Sequence, residues 1–351
     1  MMNRARAMSW EIEPLLNSSK VARAFSPTNI ALAKYWGKRD TGLNLPTNSS
    51  LSATLKSYGS FTTVEFDSSF KMDRLILNGK EEPIEKIGKI IRVLDDLRGL
   101  AGFGARARVQ TMNNFPTAAG LASSASGLSA LTFAGANALE LSLETKKLSE
   151  IARKGSGSAC RSFFSGFVEW KKGEKADGSD SVAEQVATVA HWPLHAMITI
   201  VNRAQKTHAS TGGMESTRTT SPFFDAWVES AQAQVGLIRN AIDLRDFNAL
   251  ASLAESNCIR MHASAMAAQP PIFYWQPSTL EIMQKVVGMR KQGIPVFFTI
   301  DAGPNVVVFC EPSVSSQVHR ELSQLSGVQI MRTEVGEGTR SFNLQEFSGE
   351  P

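Results

Sequence analysis

The chain has 351 residues, 42% hydrophobic and 20% charged, which is enough for two globular domains that bury an apolar core. Its formal net charge is +4, from 37 basic and 33 acidic residues, and this even balance argues against a nucleic-acid-binding surface. No apolar stretch approaches a membrane span, and the 3 cysteines lack zinc-site or disulfide-framework spacing, so we expect a cytoplasmic protein.

The first third of the chain predicts mainly strands. Val21–Phe25 and Leu51–Phe66 alternate apolar and polar residues and contain β-branched side chains. Met72–Gly79 ends in Asn-Gly, a dipeptide typical of a hairpin turn. Glu81–Gly99 carries apolar residues at helical spacing and predicts a helix, and Ala105–Met112 predicts a further strand.

The middle of the chain predicts two helices and two buried strands. The helices are expected at about Ala118–Leu139 and at Ser142–Lys154, where basic residues close the second one. Phe167–Trp170 and His195–Asn202 read as strands, and Lys171–Ser181 between them reads as a polar loop.

The last third predicts helices followed by a strand pair. Helical patterns cover Phe223–Leu244, Phe247–Ala267 and Pro277–Gln292, and Gly293–Cys310 reads as a strand, a glycine turn and a second strand. Strands and helices mix without regular βαβ alternation, which favours the α+β class over a doubly wound sheet.

The domain organisation follows from these elements. Residues 1–20 resemble a tail. The remainder is expected to form an N-terminal domain, residues 21–193, and a C-terminal domain, residues 194–345, with the boundary near His191–His195.

An unusual concentration of small residues lies where the helix near residue 118 should begin. Pro116–Gly127 reads PTAAGLASSASG. The free N–H groups and the positive dipole of a helix N-terminus attract phosphate, and small side chains such as Gly120, Ser123 and Ser124 leave room for it. Tight packing of the helix through Ala and Ser explains the same composition. The segment alone leaves both interpretations open.

A second polar segment, Ser26–Asp40, groups Asn29, Lys34, Tyr35 and Lys38 beside a Trp-Gly pair. Cations next to a tyrosine near a glycine turn suit a polyanion. A polar loop around a buried tryptophan is the alternative.

One carboxylate, Asp301, ends an apolar strand and precedes an Ala-Gly-Pro turn. A general base could stand there. Capping of the turn is the simpler explanation from this segment alone.

Taken together, six segments closely resemble the diphosphomevalonate decarboxylases, a branch of the GHMP kinase superfamily. The segments are SPTNIALAKYWGKRD, NNFPTAAGLASSASG, GSGSACRS, STGGMESTRTTSP, MHASAMAAQPPIFY and FFTIDAGPNV, within about Val21–Val308. The resemblance implies the α+β GHMP kinase fold. In that fold, an N-terminal ribosomal-protein-S5-like domain and a C-terminal ferredoxin-like domain enclose one deep cleft.

The resemblance also implies an activity in the mevalonate pathway of isoprenoid biosynthesis. Such enzymes use ATP and Mg²⁺ to decarboxylate mevalonate 5-diphosphate to isopentenyl diphosphate, releasing carbon dioxide, ADP and phosphate. The C3 hydroxyl is phosphorylated first and then eliminated. The family is usually homodimeric. The alternatives are a mevalonate 3-kinase or a phosphomevalonate decarboxylase of the same family, or a member that binds nucleotide without catalysis.

Residue roles follow from the matching motifs. The catalytic set is Asp301, which orients or deprotonates the C3 hydroxyl, Arg161, which binds the substrate carboxylate, and Lys34 and Asn29 near the reacting centre. The substrate-binding residues are Tyr35, Lys38, Ser156, Ser158 and Ser210. The ATP phosphates fall at Gly120, Ser123, Ser124 and Lys206. No residue is assigned as a metal ligand, and His262 is expected to be structural.

Overall fold

The computed structural model of the protein describes residues 20–116, 123–201 and 209–343. The strands are β1 (Val21–Ala33), β2 (Lys38–Asp40), β3 (Leu45–Pro46), β4 (Ser50–Asp67), β5 (Arg74–Leu77), β6 (Lys80–Glu81), β7 (Arg106–Asn113), β8 (Phe167–Trp170), β9 (Ala183–Ala187), β10 (His195–Ile200), β11 (Val296–Ile300), β12 (Val306–Cys310), β13 (Gln329–Glu334) and β14 (Arg340–Ser341). The helices are α1 (Gly88–Ala101), α2 (Ser123–Ala138), α3 (Thr145–Gly155), α4 (Ser210–Thr220), α5 (Phe224–Leu244), α6 (Phe247–Met266), α7 (Pro277–Lys291) and α8 (Ser315–Leu322). This mixture confirms the predicted α+β class.

The two long strands β1 and β4 form the centre of the first sheet. Its order is β14-β1-β4-β7-β5-β6, and β8 and β9 continue it beside β4. Neighbours are antiparallel except for β5 and β7. One face packs against α1, α2 and α3 in a core that includes Val64, Val109 and Leu131.

The pairing of β1 with β4 is irregular near the cleft described below. The register shifts between Pro27 and Asn29 and again between Ala31 and Ala33. Such irregularities bend a strand and redirect its side chains, and proline removes one ladder donor. Asn29 lies within this stretch, and Lys34 directly follows it.

The second sheet has the order β11-β12-β10-β13 and is antiparallel throughout. One face carries α7 and α8, with Val286 and Leu322 in the core. The other face, with Phe297 and Phe309, shares a core with Leu32 of β1. The strand β11 lies at the edge of this sheet.

The predicted boundary near His191–His195 falls between β9 of the first sheet and β10 of the second. The two halves are nevertheless joined, because β14 near the C-terminus returns to pair with β1. The division of the chain at residues 193 and 194 stays a prediction.

Several element predictions are confirmed with small shifts, and Asn78-Gly79 forms the expected hairpin turn. Both residues have positive φ, 50° and 79°, and they join the antiparallel strands β5 and β6. For the helix predicted at Ala118–Leu139, residues 117–122 lie outside the described residues, and the described part ends at Ala138.

Two element predictions were wrong in extent. The strand predicted at Val21–Phe25 continues to Ala33, because its polar residues are buried and paired, as in the 2.7 Å bond between the hydroxyls of Ser26 and Thr339. The helix predicted from Glu81 begins at Gly88. Glu81 ends β6, and Ile84, which imitated a helical face, is 44% exposed in a 3₁₀ segment.

Candidate active site

One cleft collects every predicted site residue that the structure describes. It is bordered by the end of β1, the first turn of α2, the 3₁₀ segment Gly157–Arg161, the first turn of α4 and the end of β11. The predicted residues that line it are Asn29, Lys34, Tyr35, Lys38, Ser123, Ser124, Ser156, Ser158, Arg161, Ser210 and Asp301. Gly120 and Lys206 lie outside the described residues.

Lys34 and Asp301 form an ion pair across the two halves of the chain. The Lys34 Nζ lies 2.6 Å from Asp301 Oδ1 and also donates to the backbone oxygen of Ala31 at 2.9 Å. The Lys34 side chain is 3% exposed, whereas that of Asp301 is 24% exposed toward the cleft. A buried charge without a partner would be strongly destabilising, so the ammonium group and the carboxylate hold each other in place.

Arg161 is the second buried cation of the cleft. Its Nε donates to Asn29 Oδ1 at 3.2 Å and its Nη1 donates to Ser50 Oγ at 2.7 Å. The guanidinium also lies over the Trp170 ring, 5.9 Å from the centroid. Burial lowers the pKa of Arg161 below its usual value. An arginine still remains charged in a protein, so a fixed positive charge faces the cleft.

Asn29 connects Arg161 to the segment that carries the site serines. Its Nδ2 donates to Ser162 Oγ at 2.7 Å and to the backbone oxygen of Ser158 at 3.2 Å. The oxygen and the nitrogen of the Asn29 amide are therefore both hydrogen-bonded, and Asn29 holds the guanidinium of Arg161 in its orientation.

Tyr35 offers a hydroxyl that lacks a partner. The oxygen is buried and accepts or donates no hydrogen bond within the described residues, and burial raises the pKa of the phenol above its usual range. The ring packs edge-on against Trp170 at 4.8 Å. Gly157 makes this possible, since a Cβ there would come within 3.0 Å of the Tyr35 ring. An unpaired buried hydroxyl is costly, which favours a ligand partner.

Serine hydroxyls from the first turn of α2 and from the segment that follows α3 line one part of the cleft. Ser123 and Ser124 stand in the first turn of α2, and Ser156 and Ser158 flank Gly157. The oxygens of Ser124 and Ser156 are 3.4 Å apart, and those of Ser156 and Ser158 are 3.5 Å apart. These long contacts leave hydroxyl groups available to phosphate oxygens.

The small residues deeper in α2 are buried in its packing against neighbouring elements. Ser126 and Ser129 are buried and bond to Ser60 Oγ and to the backbone oxygen of Ala159, at 2.7 Å and 2.8 Å. Packing therefore accounts for the small residues deeper in α2, whereas Ser123 and Ser124 face the cleft.

Two lysines, Lys38 and Lys89, form a cationic end of the cleft, and the sequence did not single out Lys89. Lys38 Nζ donates to Asn44 Oδ1 at 2.6 Å. Burial lowers the pKa of Lys38, and the positive charge of Lys89 lowers it further. Lys89, in the first turn of α1, lines the cleft. Nothing in the sequence distinguishes this lysine from others on a helix surface.

The helix α4 forms the remaining wall and was not predicted. Its sequence, STGGMESTRTT, is rich in Gly and Thr, which are weak helix formers. Tertiary contacts compensate. Trp36 Nε1 donates to Thr217 Oγ1 at 3.1 Å, and a Cβ at Gly213 would lie 2.5 Å from the Tyr274 hydroxyl. This docking brings Ser210 and Thr211 to the cleft.

His262 lies behind the site and does not line it. It is 1% exposed, and its Nε2 bonds to the backbone oxygen of Ile300 at 3.2 Å. Burial lowers its pKa to about 3, so the ring is neutral at physiological pH.

Both halves of the chain match known protein families. Residues 26–183 match the model of the diphosphomevalonate decarboxylase-like N-terminal domain, and residues 196–346 match that of the mevalonate 5-diphosphate decarboxylase C-terminal domain. The diphosphomevalonate decarboxylase of Ganoderma lucidum is 43% identical over 310 residues, 82% of this chain and 78% of the relative. That of Candida albicans is 41% identical over 312 residues, 85% of this chain and 86% of the relative.

A solved structure agrees with these relatives. MDDEF in complex with MVAPP, AMPPCP and magnesium superposes with a TM-score of 0.86 and is 40% identical, covering 92% of this chain and 99% of that chain.

Within residues 20–116, 123–201 and 209–343, no helix combines the length and apolar character needed to cross a bilayer.

Proposed function

The chain belongs to the diphosphomevalonate decarboxylase family, and we propose that Lys34, Asp301 and Arg161 carry its reaction. The enzyme uses ATP to decarboxylate mevalonate 5-diphosphate, with isopentenyl diphosphate, carbon dioxide, ADP and phosphate as products. It has the α+β fold of the GHMP kinase superfamily. The observation that carries the assignment of roles is the placement of a Lys34–Asp301 pair and a buried Arg161 in one cleft.

Asp301 is the group proposed to accept the proton of the C3 hydroxyl or to orient that hydroxyl. Its carboxylate is the only part of the ion pair with substantial exposure, 24% against 3% for Lys34. A lysine ammonium has three donors, and Ala31 and Asp301 take two of those on Lys34. The third remains for negative charge that develops on the substrate.

Arg161 is proposed to bind the substrate carboxylate until it leaves as carbon dioxide. Guanidinium groups match carboxylates in charge and in planar, bidentate geometry. Asn29 and Ser50 each accept one hydrogen bond from Arg161, and the Arg161 side chain also lines the cleft. The phosphorylated hydroxyl can then depart while the carboxylate is held in one orientation.

The ATP phosphates are proposed to lie against the first turn of α2, where Ser123, Ser124 and the helix dipole favour negative charge. Among the described residues, no group of three His, Cys, Asp or Glu could hold a metal ion. Hydroxyl groups and phosphate oxygens are a donor set that suits Mg²⁺, and Ser123 or Ser124 would hold it. Bound there, magnesium supplies charge neutralisation at the transferred phosphoryl group.

The diphosphate of the substrate is proposed to bind Tyr35, Lys38, Ser156 and Ser158. The Tyr35 hydroxyl, which has no partner among the described residues, and the hydroxyls of Ser156 and Ser158, which make only one long contact with each other, supply donors. Lys89 is added to this set because it lines the same cleft and lowers the pKa of Lys38. Ser210, at the start of α4, is proposed to contact substrate from the opposite side.

A substrate panel tests this assignment. The enzyme is incubated with ATP and Mg²⁺ and with mevalonate, its 5-phosphate or its 5-diphosphate, and carbon dioxide and ADP are measured together. We expect both products from the 5-diphosphate alone. Carbon dioxide from the 5-phosphate but not the 5-diphosphate would contradict the proposed diphosphate site, and ADP without carbon dioxide would indicate a kinase.

We further propose that the protein is a cytoplasmic homodimer. The homodimer follows the resemblance to this family, and light scattering coupled to gel filtration tests it, with a monomeric mass as the contrary result. The cytoplasmic assignment is supported by the cysteines Cys160, Cys258 and Cys310, which are free and buried. Cell fractionation tests it, and recovery in an oxidising compartment would oppose it.

A further inference from the structure

Asp301 directly follows the edge strand β11, and several outer backbone groups of this strand are bound by side chains instead of another strand. Edge strands present unpaired N–H and C=O groups that need a partner when they are buried. Every residue of β11 is buried. Most of these partners come from α6, which packs along this edge, and Arg290 of α7 donates to the backbone oxygen of Val296 at 3.3 Å.

The partners of Phe298 and Ile300 lie on a single stripe of α6. Glu255 Oε1 accepts from Phe298 N at 3.1 Å. Cys258 Sγ accepts from Ile300 N at 3.1 Å and donates to Ile300 O at 3.4 Å. His262 Nε2 bonds to the same Ile300 oxygen at 3.2 Å. The bonding residues of α6 follow helical spacing, and those of β11 alternate along one edge, so the two elements match in register.

Asn257, next to Cys258 on α6, binds the backbone of Lys34, the residue paired with Asp301. Asn257 Oδ1 accepts from the backbone N–H of Lys34 at 2.8 Å, and its Nδ2 donates to Gln234 Oε1 at 2.9 Å. The backbone oxygen of Lys34 accepts from Asn48 Nδ2 at 2.9 Å. Both backbone groups of Lys34 are therefore bound by buried amides.

We propose that α6 aligns the Lys34–Asp301 pair, with Asn257, Cys258 and His262 as positioning residues for the reaction. Asn257 and Cys258 are consecutive. One turn of one helix thus fixes the Lys34 peptide and the Ile300 peptide that precedes Asp301. This inference rests on the proposed roles of Lys34 and Asp301. Small displacements of reacting groups cost large factors in rate, which is why backbone anchoring on both sides matters.

His262 suits this task because it does not titrate near neutrality. Burial lowers its pKa to about 3, and the positive charge of Lys34 contributes. A neutral imidazole carries one N–H, and the Ile300 oxygen can only accept, so Nε2 is the protonated nitrogen. The anchor at Ile300 therefore stays the same at and around neutral pH.

The test compares two replacements at one position. In His262→Gln the amide N–H stands near the place of Nε2 and can bind Ile300, whereas His262→Leu fills the space without a donor. We expect His262→Leu to lower kcat about 10- to 100-fold and His262→Gln to stay within about threefold of wild type. Michaelis constants for both substrates should change less than about twofold, because binding groups are untouched. Asn257→Ala should resemble His262→Leu.

Ser264→Ala is the matched control. Ser264 lies on the same helix, is 1% exposed, and has a hydroxyl without a partner among the described residues. Its replacement should leave kcat unchanged. Equal kcat values for His262→Gln and His262→Leu, or a rise in Michaelis constants with unchanged kcat, would overturn the proposal.

If His262→Leu does not fold, Cys258 carries the same comparison. Cys258→Ser keeps a donor and an acceptor beside Ile300, and Cys258→Ala removes both. A lower kcat for Cys258→Ala than for Cys258→Ser supports the alignment role, and equal values overturn it. Turnover of the wild-type enzyme reports separately on the proposed function, so failure of one claim is distinguishable from failure of the other.

Discussion

The two ends of the cleft are built differently. At the end proposed to carry the reaction, Lys34, Asp301 and Arg161 are held by short bonds, such as 2.6 Å between Lys34 and Asp301 and 2.7 Å between Arg161 and Ser50. At the phosphate wall, Ser124 and Ser156 face each other at 3.4 Å, and their hydroxyls are largely open.

The difference shows which geometry exists before substrates arrive. Bonds made by the protein to itself fix the reacting groups, so their orientation costs little when substrate binds. Open hydroxyls and helix N–H groups gain their partners only from the phosphates. Replacements at the reacting end should therefore lower kcat, and replacements at the phosphate wall should act mainly on substrate affinity.

The largest effect is expected at Asp301. Asp301→Asn keeps the shape but removes the proposed base and the charge partner of Lys34, so turnover should fall about 10³- to 10⁵-fold. ATP affinity, measured by calorimetry, should change little because the phosphate wall is intact. Asp243→Asn, on the exposed end of α5, serves as the control. Turnover close to wild type in Asp301→Asn would remove Asp301 from the mechanism.

Arg161→Lys should have the next largest effect. A lysine keeps a positive charge but cannot contact Asn29, Ser50 and a carboxylate with a planar edge. We expect kcat to fall about 100-fold, the scale of losing one preorganised donor group. Steady-state kinetics with mevalonate 5-diphosphate measures it. A change confined to the Michaelis constant for ATP would place Arg161 at the wrong end of the cleft.

Ser124→Ala should separate the two ends. Loss of one hydroxyl from the wall should raise the Michaelis constant for ATP about tenfold, the scale of one hydrogen bond to a charged group. The value of kcat should change less than the Michaelis constant. Ser129→Ala, deeper in α2, removes a packing hydroxyl and provides the comparison for stability effects. A larger effect of Ser124→Ala on kcat than on ATP affinity would contradict the proposed difference between the two ends of the cleft.

The last prediction concerns stability in acid, where activity at neutral pH is not involved. Burial lowers the pKa of His262 in the folded protein to about 3 from its usual value of 6.5. The unfolded chain therefore binds one more proton than the folded one between these values, and stability falls as the pH drops from 6.5 toward 3. Without this group, the pH dependence should be shallower by up to about 1.4 kcal/mol per pH unit.

Denaturant unfolding of wild type and of His262→Gln at several pH values measures this difference. Parallel stability profiles for the two proteins would mean that His262 is protonated in the folded state.

The sequence predicted the residues that line the cleft better than the residues that hold them in place. Lys34, Arg161 and Asp301 belong to motifs with several characteristic residues in order. Asn257, by contrast, acts through a bond to the Lys34 backbone that spans 223 positions, and nothing local reveals such a partner. Lys89 is likewise one lysine among many until α1 is placed beside the cleft.

The fold was predictable where apolar periodicity was strong and unpredictable where tertiary contacts decide. The buried strands β11 and β12 and the long helices α5 and α6 follow their patterns closely. The helix α4 forms despite weak propensity because Trp36 and Tyr274 hold it. The polar half of β1 looks like a loop, since the partners that satisfy its buried polar residues lie far along the chain.

The coupling of ADP formation to carbon dioxide release tests the central claim most directly. The time courses of both products are followed in one reaction with ATP, Mg²⁺ and mevalonate 5-diphosphate. If one cleft phosphorylates the C3 hydroxyl and then eliminates it, the two products should appear in equal amounts, and both should disappear in Asp301→Asn. Formation of ADP without carbon dioxide, or release of carbon dioxide without ADP, would contradict the account.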